Sequence, residues 1–139
     1  MNTVIWQPDH LGDGFEMTYV EHPADYSGAV RSTVIRKKAA HPTGKAILYV
    51  HGFSDYFLQK EMALMFAGHG YDFYAVDLRK YGRSLTDGQK MFQVRNLHEY
   101  FPDIDSAVDI IAADGNGAIA LLGHSTGGLT TSLYMSENP

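Results

Sequence analysis

Ala118-Ile119-Ala120-Leu121-Leu122-Gly123-His124-Ser125-Thr126-Gly127-Gly128 is the stretch whose reading decides the fold. Ala118 to Leu122 is an unbroken apolar run that reads as a buried strand. Gly127 to Glu137 reads as a helix, so a Gly-x-Ser-x-Gly run joins strand to helix directly. A serine on so sharp and strained a turn holds its Oγ above the sheet, and small residues at Gly123 and Gly127 let two backbones pass closely. Gly128 extends that clearance, and His124 completes the turn. Ser125 is therefore a candidate nucleophile; the plain alternative is a serine N-cap on a glycine-rich helix entry.

Working outward, the chain from Lys45 alternates short apolar strands with helical stretches, the pattern of a mostly parallel sheet with helices on both faces. Ala46 to Val50 is a continuous apolar strand stopped by His51-Gly52. Leu58 to Gly68 places Leu58, Met62, Met65 and Phe66 near one helical face, with both methionines as core and Gly68-His69-Gly70 as the stop. Tyr71 to Leu78 is the next strand, and Pro102 to Ala113 is a helix with Ile104, Val108 and Ile111 at helical spacing. Before Lys45, Phe15 to Val20 and Ala29 to Arg36 alternate after the turns Gly12-Asp13-Gly14 and Ser27-Gly28, predicting an antiparallel hairpin at a sheet edge. Arg36-Lys37-Lys38 reads as a solvated strand end. Residues 1–139 contain no repeat, low-complexity tract or linker, and read as one domain or part of one.

A serine nucleophile generates a tetrahedral oxyanion that needs preorganised N–H donors. One comes from the residue after the nucleophile, here Thr126, and another from the loop after an earlier strand, here Phe53 behind His51-Gly52. His51 invites a role as general base, but its place in that loop favours a structural one. Asp77 ends a strand and invites a role as the catalytic acid.

Tyr49-Val50-His51-Gly52-Phe53-Ser54, Asp77-Leu78-Arg79-Lys80-Tyr81-Gly82-Arg83-Ser84 and Leu122 to Gly128 together resemble the α/β-hydrolase superfamily. Within it they are similar to the monoacylglycerol lipase and lysophospholipase-like serine hydrolases, from about Lys45 onward. The resemblance implies an eight-stranded, mostly parallel sheet, a cap inserted after the sixth strand, and hydrolysis of a lipid-like carboxylic ester. It also places Asp77 in the loop before a helix, where an aspartate more often ties down a turn. Thioester, amide and peptide hydrolysis, and a non-catalytic binding module, are the alternatives on the same fold. Triad order in this fold is serine, then acid, then histidine, and only Thr126 to Pro139 follow Ser125. The expectation is an N-terminal part of one α/β-hydrolase domain whose acid, histidine, cap and C-terminal strands lie outside this chain. The expected partner is then the remainder of the same hydrolase, or a second copy held through the edge of 118–122.

Composition narrows the chemistry. Eleven Lys and Arg against sixteen Asp and Glu give a net charge of −5, with no basic footprint for nucleic acid. Cysteine is absent, which removes disulfides, thiolate nucleophiles and Cys-based metal sites. No stretch reaches the ~18 consecutive apolar residues of a membrane span, and the first residues lack a signal-peptide pattern, so a cytoplasmic protein is expected. Gly115-Asn116-Gly117-Ala118-Ile119-Ala120 imitates a dinucleotide fingerprint but stands before a strand instead of after one. His98-Glu99 begins a zinc motif whose fifth position is Pro102. No cofactor and no metal are expected, and His10, His22, His41 and His69 read as surface or loop residues.

Overall fold

The computed structural model describes residues 4–138. Six strands form one sheet in the order β1-β2-β3-β5-β4-β6, with β1 at Gln7–Pro8, β2 at Glu16–Asp25, β3 at Gly28–Lys37, β4 at Lys45–Val50, β5 at Tyr71–Asp77 and β6 at Ala118–Gly123. β5, β4 and β6 run parallel, and β1, β2 and β3 add antiparallel ladders that end on β5. The parallel half and the N-terminal hairpin are both as the sequence predicts. Pro8 keeps β1 to two residues at the rim, and this strand, too short for a period, lies outside the hairpin.

Strand alternation separates two cores. Ala46, Leu48 and Val50 of β4 and Tyr74 and Val76 of β5 face helix α2, Phe101–Ala113, whose Ile104, Ala107, Ile110 and Ile111 close over them. Helix α3, Thr126–Glu137, adds Tyr134 to that side. Ile47, Tyr49, Phe73 and Ala75 face the other way, against Phe57 and helix α1, Lys60–Gly68. Helices thus cover both faces. No helix among the described residues is long and apolar enough to cross a membrane.

Four expectations need correction. The sheet-facing side of α1 is Ala63 and Ala67, flanked by half-buried Met62 and Phe66. Met65 lies about 200° round the helix from Ala63 and is 50% exposed, and Leu58, ahead of the helix, is 47% exposed. Two alanines one turn apart let the helix sit close to the sheet, and that close approach, not the larger side chains, sets its rotation. Arg36 is not solvated, since it pairs with Glu16 at 3.0 Å and Asp114 at 2.9 Å and lies 3.8 Å over the Trp6 ring. His22 is a strand residue with a buried side chain, 2.8 Å from Ser32 Oγ and 3.3 Å from Asp103. Burial lowers its pKa, against the pull of Asp103. Finally, β6 is not buried. It pairs only with β4, and its side chains are half-buried or exposed because its outer edge carries no strand among the described residues.

Candidate active site

The C-terminal ends of β4 and β6 meet at the serine turn. Ser125 stands between β6 and α3 with φ 57° and ψ −122°, a left-handed backbone that a serine adopts only under constraint. The constraint is hydrogen-bonded: the His124 amide donates to Val50 O at 3.1 Å, Gly127 to His124 O at 2.9 Å and Gly128 to Ser125 O at 2.9 Å. The side chain of Ser125 makes no cap bond to the helix, so the N-cap alternative does not describe its role. Ser125 is exposed, as are His124 and Thr126.

Glycines make the approach possible. A Cβ at Gly127 would lie 2.2 Å from Val50 O, and one at Gly123 would lie 2.5 Å from Gly127 O. A Cβ at Gly52 would lie 2.9 Å from His124 O and 3.1 Å from Ser125 Cβ, which places the turn after β4 directly on the serine. Gly128 is the exception. Its Cβ would meet Gly123 O at 3.8 Å, an ordinary contact, because it already faces away from the crossing. Gly127→Ala is accordingly expected to cost at least the upper end of the ~1–3 kcal/mol of an overpacked core. Gly128→Ala should change stability little, and a pair of thermal melts checks the difference.

The loop after β4 is held from three sides. His51 is buried, and its Nε2 accepts the Leu78 N–H at 3.0 Å, which leaves the ring proton on Nδ1 to be donated to Gly52 O at 2.8 Å. Burial holds its pKa below the ordinary histidine value, so the ring stays neutral with both nitrogens occupied. Asp77, fully buried, accepts the Phe57 N–H at 2.9 Å and Arg83 Nη1 at 2.9 Å. Arg83 in turn donates to Phe57 O at 2.9 Å and makes a two-pronged pair with Asp9 at 2.7 and 2.8 Å. Burial opposes the charges on this pair, but the mutual bonds win: Asp9 is held below and Arg83 above its ordinary pKa.

Among the described residues, the Phe53 and Thr126 amides have no hydrogen-bond partner. Thr126 opens α3, so its free N–H also sits at the positive end of the helix dipole. No histidine among the described residues bonds Ser125 Oγ. His98 is paired with exposed Glu137 at 2.8 Å. A cavity of about 750 Å³ bounded by Val4, Ile5, Tyr19 and Ile110 contains none of the site residues.

Two supports of this site escaped the sequence reading. Asp9 bonds a residue 74 positions away, and nothing local announces it. The aromatic file His51, Tyr81, Phe92, Phe53, with ring centroids 4.5, 4.7 and 5.2 Å apart, draws on three separate loops. Its local trace is the apolar pair Met91-Phe92 in a loop that is polar from Thr86 to Lys90.

Known structures share this arrangement of strands and helices. A thermostable carboxyl esterase from Bacillus coagulans superposes with a TM-score of 0.72 at 16% identity, over 88% of this chain and 40% of the esterase. A probable hydrolytic enzyme from Pseudomonas aeruginosa PAO1 gives 0.70 at 17%, over 88% of this chain and 38% of that one. An epoxide hydrolase from Vigna radiata gives 0.59 at 22%, over 87% of this chain and 37% of the other. The chain therefore spans about two fifths of the length of the solved structures it matches. No curated protein sequence matches it. Residues 41–139 match the family described as serine aminopeptidase, S33, and with the fold in agreement the chain belongs to that family of α/β-hydrolases.

Proposed function

We propose that this chain carries the nucleophile and oxyanion site of a serine hydrolase acting on a carboxylic ester, of the lipid-like monoacylglycerol or lysophospholipid type. The observation that carries this reading is the strained, exposed Ser125 beside two partnerless amides. Ser125 Oγ attacks the acyl carbonyl while an imidazole takes its proton. The Phe53 and Thr126 amides receive the developing oxyanion, the alcohol leaves with the proton, and water releases the acyl group from Ser125. His51 is not that imidazole, because neither of its nitrogens is free. The base and its acid come from a segment or chain beyond the residues described. Exposed apolar groups on the loop, Phe53 above all at 64%, favour an apolar acyl group.

The test is to treat the intact protein with a fluorophosphonate and map the adduct. A single adduct on the Ser125 peptide and turnover of p-nitrophenyl esters support the reading. Turnover of aminoacyl anilides in preference to esters would move it to peptides, and an unlabelled Ser125 would end it.

The same reading extends to the partner. The outer edge of β6 offers a row of backbone donors and acceptors between apolar side chains, an association site with no charged residue from Ala118 to Leu122 to guard it. A further strand of the hydrolase, or a second copy of this chain, pairs there. The 139-residue chain alone is expected to associate with rising concentration in sedimentation velocity, and a monomer across the range would overturn the pairing.

A further inference from the structure

Phe92 has a backbone φ of 64°, a strained state for a bulky side chain, and the structure spends a buried lysine to keep it there. The Phe92 N–H donates to Lys80 O at 3.1 Å. The Lys80 side chain is fully buried, its Nζ donating to Gln93 O at 2.8 Å and to Asp25 Oδ2 at 2.7 Å. Burial raises the Asp25 pKa, but the bonds from Lys80 and Ser27 outweigh it and bring the carboxyl down to about 2, so Asp25 stays a carboxylate. Lys80 thus pins the 85–96 loop to the tip of the β2–β3 hairpin at both sides of one residue, Phe92.

What this anchoring delivers is a ring placed edge-on to Phe53, with centroids 5.2 Å apart and planes at 64°. Phe53 follows Gly52, where an added Cβ would come within 3.1 Å of Ser125 Cβ. Beside Phe92, Met91 is 58% exposed. Phe92 rests its inner side on the core beside Tyr81 and its edge on Phe53, which is 64% exposed, so two aromatic rings from two loops stand together on the turn that follows Gly52, with Met91 exposed next to them in sequence. Covering such a surface with substrate methylenes favours long acyl groups by up to about four-fold per methylene.

On the hydrolase reading of Ser125, the geometry points to Phe92 as a specificity-determining residue: with Phe53 and Met91 it forms the wall that receives the acyl chain, and Lys80 is the positioning residue that holds it. The discriminating measurement compares kcat/KM for p-nitrophenyl octanoate and acetate in the intact protein. Phe92→Gly deletes the ring while tolerating φ 64°, and Phe92→Tyr keeps it. The expected result is an octanoate-to-acetate ratio at least about ten-fold lower in Phe92→Gly, with acetate turnover and Ser125 labelling retained, and a ratio within about three-fold of wild type in Phe92→Tyr. An unchanged ratio in Phe92→Gly, or an equal loss on both esters, would overturn the wall while leaving Ser125 as the nucleophile. A wild-type protein whose Ser125 takes no label would overturn both.

Discussion

Ser125→Ala in the intact protein is expected to lower ester turnover by about 10⁶-fold, the scale of loss when an acyl-transfer serine is deleted from an otherwise complete site. Alanine keeps the Cβ and meets the same backbone strain at φ 57°, and the serine hydroxyl makes no cap bond to α3. The melting temperature should therefore stay within a few degrees while the fluorophosphonate adduct disappears. This separation of activity from stability is the diagnostic outcome. A variant that keeps turnover within ten-fold of wild type would place the nucleophile elsewhere, and a variant that melts much earlier would make Ser125 a structural residue.

The second large effect belongs to a backbone atom. Phe53→Pro removes an N–H, and losing one oxyanion donor typically costs about 10²–10³ in rate. Thr126→Ala keeps its amide and should stay within a few-fold of wild type, because the Thr126 side chain is exposed and donates no hydrogen bond among the described residues. Phe53→Ala keeps the amide while deleting the ring. It should spare p-nitrophenyl acetate, so that comparison with Phe53→Pro isolates the N–H. Equal and small losses in Phe53→Pro and Thr126→Ala would remove the oxyanion assignment.

Local chemistry made much of this legible in the chain. The Gly-x-Ser-x-Gly run, the apolar strands around it and the His51-Gly52 stop are contiguous, and each carries its geometric reason within a few residues. The loop position of His51 implied backbone partners, and the Leu78 N–H and Gly52 O bond its two ring nitrogens. Asp77 likewise ties down turns at Phe57 and Arg83. The misreadings arose where a neighbour distant in sequence decides. Met65 was outvoted by Ala63 and Ala67, because a helix rotates to bring small residues against a sheet. His22 sits beside Pro23, a loop signature, yet the long β2–β3 ladder carries it under Ser32 and Asp103. Ala118 to Leu122 had the composition of a buried strand, and only its burial was misread: the edge expected there is present, since β6 pairs with β4 and with no other strand among the described residues. Apolar content reports what a strand can be buried by, and the neighbour itself is not written in it.

Arg83 joins the start of the chain to the serine's surroundings: one guanidinium grips Asp9 with two bonds and the Asp77 and Phe57 acceptors with two more. The segment around Asp9 is thus a truss for the loop that follows β4. Trimming the chain before Leu11, or fusing a bulky tag that drags Asp9 aside, removes one of the two counter-charges of a buried arginine, leaving Asp77 alone to hold it, and loosens the 53–57 loop that the same guanidinium ties down. On the proposed hydrolase reading, a preparation altered only near Asp9 would then lose ester turnover, although every residue around Ser125 is intact.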